Sequence, residues 1–299
     1  MPVPVAWAGR LAIPAIVAPM FLVSGPALVV ECCRAGLIGT FPALNQRTTA
    51  GFGQWLDEIE GALDVGSAPY GVNLIVHRSN PRLMNDLALC VQHRVPLVIT
   101  SLGLVPEVIA AVHGYGGLVF HDVIGTRHAE KAVAAGVDGL IAVAAGAGGH
   151  AGTLSPFALV SEIRRFFDGP LALAGAMSEG RHIAAAEVMG ADFGYLGSLF
   201  IAAEESLAGD DQKAMMIRAS AADIVHTAAV TGVGANFMRP SLEAHGWQPD
   251  GTPPAMDLAN EAKAWKTLWS AGHGVGGVRA LRPARAICAE LKAGYAAAR

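Results

Sequence analysis

"EKAVAAGVDGLIAV", Glu130–Val143, decides how this chain is read. A helical pattern of small residues runs into Gly136, an aspartate follows at Asp138, and an uncharged run suited to a strand begins at Gly139. Gly136 suits the residue just past a helix end, where positive φ is cheap only without a Cβ. The same order recurs in "AAAEVMGADFGYLG", Ala184–Gly197, with Gly190 and Asp192 in the matching places. A helix–glycine–aspartate–strand unit that appears twice predicts a βα repeat.

Working outward from it, eight short apolar runs qualify as strands: Ala15–Ala18, Leu37–Thr40, Gly71–Val76, Leu97–Ser101, Leu118–His121, Gly139–Val143, Leu171–Ala174 and Phe193–Gly197. Helical patterns lie between them, among them Pro81–His93, Thr126–Ala135 and Arg181–Met189. Continuous apolar strands are those covered by helices on both faces. The chain is 53% hydrophobic and only 15% charged, which suits such a sheet. Eight alternations fit the α/β class and a closed (β/α)8 TIM barrel better than an open doubly wound sheet. The barrel is expected over residues 1–204. Residues 205–299 then form a helical extension packed on or over the barrel, whose loop "TGVGANFMRP", Thr231–Pro240, can reach toward its mouth.

A formal charge of −4 with no basic run argues against a nucleic-acid partner and for a small-molecule substrate. The uncharged tracts Leu11–Val30 and Gly139–Val160 approach the length of a membrane span. Pro14, Pro19, Gly25 and Pro26 interrupt the first, and Gly146, Gly148, Gly149, Gly152 and Pro156 the second, so neither reads as a transmembrane helix. The start lacks the features of a secretory signal, and a cytoplasmic protein is expected. Cys32, Cys33, Cys90 and Cys288 form no CxxC pair and no Cys/His cluster, so buried thiols are expected and no metal site.

The working face of a barrel lies at the C-terminal ends of its strands. Here the loops at those ends are mostly small and uncharged, which suits a wide, flat ligand. After the seventh and eighth strands, Ala174–Arg181 and Leu196–Phe200 put small residues just before helices, where backbone N–H groups can face a phosphate. In "LIAVAAGAGGHAGTLSP", Leu140–Pro156, the one ionisable side chain is His150, flanked by Gly148, Gly149 and Gly152. An imidazole titrates near neutrality and can take and return a proton, so His150 is the candidate catalytic base. His121 and Asp122 end the fifth strand and are candidate ligand contacts; His77 is a weaker one. His128 is expected to be solvated, and His273 is a candidate lid residue. "GHGVGG", Gly272–Gly277, matches a dinucleotide fingerprint in letters only, because it follows a helical pattern where a strand is required.

Taken together and in order, "APMFLVSGPALVVECCRAGLIGTFPALN", "YGVNLIVH", "GGHAGTLSPFALV", "LAGAMSEGR" and "WSAGHGVGG" resemble the nitronate monooxygenase family, formerly called 2-nitropropane dioxygenases, over about Ala15–Gly277. The resemblance implies an FMN-dependent flavoprotein oxidoreductase that oxidises alkyl nitronates, or nitroalkanes, with O2 to a carbonyl compound and nitrite. By position it implies that Pro19 and Met20 lie along the flavin ring and that Asn73 hydrogen-bonds its polar edge; Ala18, Ser101, His121 and Asp122 are further candidate cofactor contacts. Gly148, Gly149 and Gly152 pass beside the ring, with His150 as the family's base. Gly175, Ala176, Gly197 and Ser198 cradle the phosphate, which Trp269, Ser270 and Gly272 help to close.

The chain departs from the best-known branch of that family in four places. Phe21 stands where Gln follows the first-strand Met, and Asp122 where Lys follows the fifth-strand His. "AGA" replaces an "SGG" turn and "GSL" a "GTR" turn, leaving FMN to backbone donors. An alternative on the same barrel is an NAD(P)H-dependent flavin reductase of quinones or enoyl thioesters; a third is a flavin-free binder of phosphorylated ligands. Trp247, Trp265 and Trp269 offer either core packing or a homodimer contact.

Overall fold

Every one of the eight apolar runs forms a strand in the computed structural model, which describes residue 4 and residues 7–247 and 263–299. They are β1 (Ala15–Val17), β2 (Ile38–Pro42), β3 (Gly71–Ile75), β4 (Leu97–Ser101), β5 (Leu118–Val123), β6 (Gly139–Val143), β8 (Leu171–Ala174) and β9 (Phe193–Leu196); β7 is the short strand Gly149–His150. The eight run parallel and close into a barrel, β9 returning to β1 with Ala15 opposite Gly194 and Val17 opposite Leu196. This is the expected (β/α)8 fold. Helices α1 (Pro26–Arg34), α2 (Thr49–Ala62), α3 (Leu83–Gln92), α4 (Pro106–His113), α5 (Thr126–Ala134), α6 (Pro156–Ile163) and α7 (Gly180–Val188) alternate with the strands.

Local chemistry sets the helix starts. Pro26, Pro106 and Pro156 open α1, α4 and α6, where a missing N–H leaves no helical bond unmade. Thr48 caps α2 by accepting the Gly51 N–H at 3.0 Å. The echo noted in the sequence has a structural basis. Gly136 and Gly190 sit at φ +88° and +107°. Asp138 then accepts the Val119 N–H of β5 through Oδ2 at 2.7 Å, and its own N–H donates to the Val119 carbonyl at 2.9 Å. Asp192 repeats both bonds with Leu171 of β8, at 2.9 and 2.7 Å. In each unit the aspartate fastens the foot of the preceding neighbour strand.

The barrel interior is filled by alternate residues, among them Ile16, Ile38, Ile99, Phe120, Ile141 and Phe193. Trp7 seals its N-terminal end, 5.8 Å from the Phe120 ring and 6.1 Å from that of Phe193, the first residue of β9. The opposite end is open.

Beyond β9 come α8 (Ser198–Ile201), α9 (Asp210–Arg218), β10 (Ile224–Thr227), β11 (Ala235–Met238), α10 (Arg239–Ala244) and α11 (Ala284–Ala297). A four-residue α8 is too short to cover two strands. The place of the eighth outer helix is taken by α11, which packs against both α7 and α1. A Cβ on Gly180 would fall 2.0 Å from the Leu291 carbonyl, so the two backbones meet directly there. Sequence reading ends the barrel at residue 204; the ring of helices draws its last member from beyond that point. A second sheet, antiparallel and ordered β10-β11-β7, joins the extension to the loop after β6. All four cysteines are buried and free. Among the described residues no helix is long and apolar enough to cross a membrane, and no side-chain cluster could hold a metal ion. Trp265 stacks on Phe237 at 4.9 Å, and Trp247 joins them in a small core, while Trp269 packs on the main one.

Candidate active site

The open end of the barrel holds a cavity of about 1490 Å³, and every residue named above for catalysis or cofactor contact borders it. Strand alternation explains which side chains point inward. Asn73, Ser101 and Asp122 stand on neighbouring strands β3, β4 and β5 and are joined side to side. The Asn73 amide donates to Ser101 Oγ at 2.7 Å and to the Ile99 carbonyl at 3.3 Å. The Ser101 hydroxyl donates a hydrogen bond to Asp122 Oδ2 at 2.5 Å. Asp122 Oδ1 is buried without a hydrogen-bond partner among the described residues. Burial pushes the Asp122 carboxyl up to about 6, against the Ser101 hydrogen bond and the His150 charge, which hold it down.

His121 is one residue earlier and on the other face of β5, where Nδ1 meets Thr100 Oγ1 at 2.7 Å. Burial, with the charge of His128, depresses it to about 4, so the imidazole is neutral at pH 7. Tyr195 on β9 also borders the cavity, and burial together with the Asp122 charge raises its phenol well above the usual range. Tyr195 was not among the sequence candidates, although its position two residues after inward-facing Phe193 is the signal that finds it.

The loop after β1 is held by Asn45, another residue missed. Its Oδ1 accepts the Leu22 N–H at 2.8 Å, and its Nδ2 donates to the carbonyls of Met20 and Ser24 at 3.1 and 2.7 Å. Leu22 is thereby kept at φ +60°. Leu102, at +62°, and Ala176, at +55°, share this left-handed conformation, and all three border the cavity. Each costs on the order of 1–2 kcal/mol in a residue with a Cβ, and such strain gathers at functional sites.

Within the glycine loop that carries His150, the Ala145 N–H donates to the Leu154 carbonyl at 2.8 Å and the Gly152 N–H to the Val143 carbonyl at 3.1 Å. The extension fixes the stretch between them. Gly149–His150 pairs antiparallel with Ala235–Asn236. The Asn236 amide donates to the Ala147 carbonyl at 2.6 Å, and Ser270 accepts the Gly149 N–H at 2.7 Å. The segment "GHGVGG" also has a use: a Cβ on Gly272 would lie 2.4 Å from the Gly146 carbonyl and 2.7 Å from the Gly148 nitrogen. Two glycine-rich segments thus pack backbone to backbone. His150 stands edge-on to Trp265, with ring centroids 6.0 Å apart.

At the other end, Gly175 has φ +144°, and a Cβ there would meet the Ala145 carbonyl at 2.9 Å. The Ala176 N–H already donates to the Gly146 carbonyl, at 3.2 Å. Ser198 accepts the Gly272 N–H at 2.7 Å and keeps its own proton to donate. Ser270 has both functions of its hydroxyl engaged, donating to the Asn236 carbonyl at 2.6 Å. Trp269 borders the cavity, and its backbone N–H donates to Ser241 Oγ at 2.9 Å. His77 is bonded to Ser79 Oγ at 2.8 Å; His128 and the His273 side chain are exposed, and of these two only His128 borders the cavity.

The volume exceeds the roughly 300–1,000 Å³ of a pocket for one small ligand, so a cofactor and a substrate fit together. The wall at Gly149, where a Cβ would meet nothing within 4 Å, fits the flat ring of a flavin, while Gly148 is held to glycine by the Gly272 nitrogen, 2.9 Å from where its Cβ would lie. The Asn73 side-chain oxygen accepts no hydrogen bond from the described residues and leaves an acceptor that a flavin ring N–H would fit.

Comparison with known proteins identifies the family of the chain. The nitronate monooxygenase family model matches residues 80–242, more than half of the chain. A Mycobacterium tuberculosis relative is 30% identical over 164 residues, 54% of this chain and 44% of its own length. A nitronate monooxygenase of Paraburkholderia phytofirmans is 26% identical over 288 residues, covering 81% of this chain and 78% of that protein. Among solved structures, nitroalkane oxidase from Streptomyces ansochromogenes superposes with a TM-score of 0.86 at 26% identity, covering 98% of this chain and 99% of the other. The chain belongs to the nitronate monooxygenase family, flavin-dependent oxidoreductases on a (β/α)8 barrel.

Proposed function

We propose that this chain binds FMN and oxidises alkyl nitronates, and nitroalkanes after deprotonation, with O2 to a carbonyl compound and nitrite. The observation that carries this reading is the position of His150, held in a strand ladder at the wall of a cavity large enough for two ligands. When bound, the flavin supplies the electron transfer and the reaction with O2.

The chain's own residues bind, orient and move protons. Gly149 lets the ring lie against the backbone of the Gly148–Gly149 wall, with Pro19 and Met20 along it. Asn73 orients the polar edge of the ring through its side-chain oxygen, because its amide protons are already fixed on Ser101 and Ile99. Ser198 donates its hydroxyl proton toward the phosphate, beside the turn at Gly175, Ala176 and Gly197. For a neutral nitroalkane, a ring nitrogen of His150 accepts the α-proton, and the ladder to Ala235 keeps the imidazole in place while it does so. A nitronate has already lost that proton and does not need the step.

An absorbance spectrum of the purified protein tests the cofactor, with bands near ~370 and ~450 nm expected for a bound flavin. Oxygen uptake with nitrite release from propyl nitronate tests the reaction. Persistence of the yellow colour after anaerobic mixing with NADH or NADPH separates it from a reductase. A colourless protein that takes up no FMN would overturn the reading.

A further inference from the structure

The geometry points to Asp122 as the residue that sets the charge of the substrate: its carboxylate closes the cavity to small anions, and its protonated form admits them. The inference rests on this cavity being the substrate site, and not on the reaction carried out there.

Asp122 is built to be poorly stabilised as an anion. One carboxylate oxygen has a single donor, the Ser101 hydroxyl, and the other is buried with none among the described residues. No Arg or Lys of the described residues makes an ion pair with it, whereas the buried Asp86 and Asp192 elsewhere are paired to Arg82 and Arg164 at 2.9 and 2.6 Å. The residue still borders the cavity, so its charge faces whatever is bound there. A buried charge interacts through a medium far less screening than water, and a second negative charge beside it is repelled strongly. An anion therefore binds most readily to the form in which Asp122 carries a proton, and burial raises that carboxyl to about 6, inside the range of ordinary assays.

The surrounding groups decide what else can respond to pH. His150 comes from the loop after β6, Tyr195 from β9 and His121 from its own strand. Tyr195 and His121 stay neutral from pH 6 to 8, as their shifts require. His128 and Lys131 of α5, with Arg82 and His77 after β3, stand at the rim of the same cavity. The imidazoles of His77, His128 and His150 face the same cavity and are the other candidate source of a pH effect on anion binding. Only removal of the Asp122 charge tells the two causes apart.

The experiment is calorimetric titration of the purified protein with benzoate and with its neutral counterpart benzamide at pH 6, 7 and 8, in wild type and Asp122→Asn. Asn retains an oxygen to accept the Ser101 hydroxyl. In wild type, benzoate affinity should fall by about tenfold per pH unit above 6 while benzamide affinity stays level. In the variant, benzoate should bind with a much flatter profile and at least tenfold more tightly at pH 8. In parallel, KM for propyl nitronate should rise with pH in wild type and that for 1-nitropropane should not. A pH-independent benzoate affinity in wild type, or a fall that persists unchanged in Asp122→Asn, would overturn the assignment, the second outcome giving the effect to the histidines. If the benzoate pattern appears but neither nitro compound is turned over, Asp122 keeps its role and the reaction proposed above fails.

Discussion

Ser270 and Gly149 are 121 residues apart in the chain, yet the Ser270 hydroxyl accepts the Gly149 N–H at 2.7 Å and gives its own proton to the Asn236 carbonyl at 2.6 Å. One side chain thus ties the loop before His150 to the strand of the extension that pairs with it. Replacing Ser270 by Ala leaves two backbone groups without that partner, at a cost of about 1–3 kcal/mol. Loosening of the loop should lower kcat/KM on the order of tenfold, since small displacements of a reacting group are costly. Urea unfolding and faster amide exchange at Gly149 measure the two effects; an unchanged exchange rate would remove Ser270 from the positioning of the loop.

His150→Asn should reduce turnover of a neutral nitroalkane by roughly 10²–10⁴, the usual contribution of a general base, and leave turnover of the preformed nitronate within a few-fold. Steady-state kinetics on matched 1-nitropropane and propyl nitronate read this directly. Equal losses on both would remove the base role.

Gly272→Ala and Gly276→Ala form a matched pair. A Cβ on Gly272 collides with the backbone of Gly146 and Gly148, whereas one on Gly276 has nothing within 4 Å. Overpacking of this kind costs about 1–3 kcal/mol, and the first variant should lose stability and retain less FMN after purification. The second should match wild type in both thermal unfolding and flavin content.

His121 and Asp122, adjacent on β5, should act oppositely on acid stability. His121 titrates at about 4 when folded, against 6.5 when unfolded, so its contribution is lost as pH falls through that window. Asp122 titrates at about 6 when folded, against 3.8 when unfolded, so the folded protein gains stability as pH falls from 6 toward 4. The two nearly cancel in wild type. Asp122→Asn should therefore lose stability on going from pH 6 to 4 at up to about 1.4 kcal/mol per pH unit relative to wild type, and His121→Gln should gain by a similar amount. Urea unfolding at both pH values checks the sign of each difference.

The architecture was legible because it is written locally. A helix that ends at Gly136 or Gly190 needs a residue free to adopt positive φ, and an apolar run buried on both faces needs no alternation, so strand after strand could be read from short windows. Asp138 and Asp192 were visible as a repeated letter, but their reciprocal bonds to Val119 and Leu171 required neighbouring strands to be in register. The site residues expected on the barrel, from Ala18 to Ser198, border one cavity because strand ends converge there in this fold. Tyr195 was recoverable from alternation. Leu22, Leu102 and Asn45 were not, since a left-handed leucine leaves no mark in composition.

By itself the sequence determined the eight strands, the helices between them and the glycine-flanked histidine at one strand end, all consequences of backbone freedom and burial over a few residues. Only the tertiary structure decided that α11 closes the ring of helices, that β11 holds His150, and that the two glycine segments meet face to face. Those contacts join positions about 85 to 260 residues apart. Their partners are mostly backbone atoms, which are the same in every residue and so cannot be told apart in a sequence until the chain has folded.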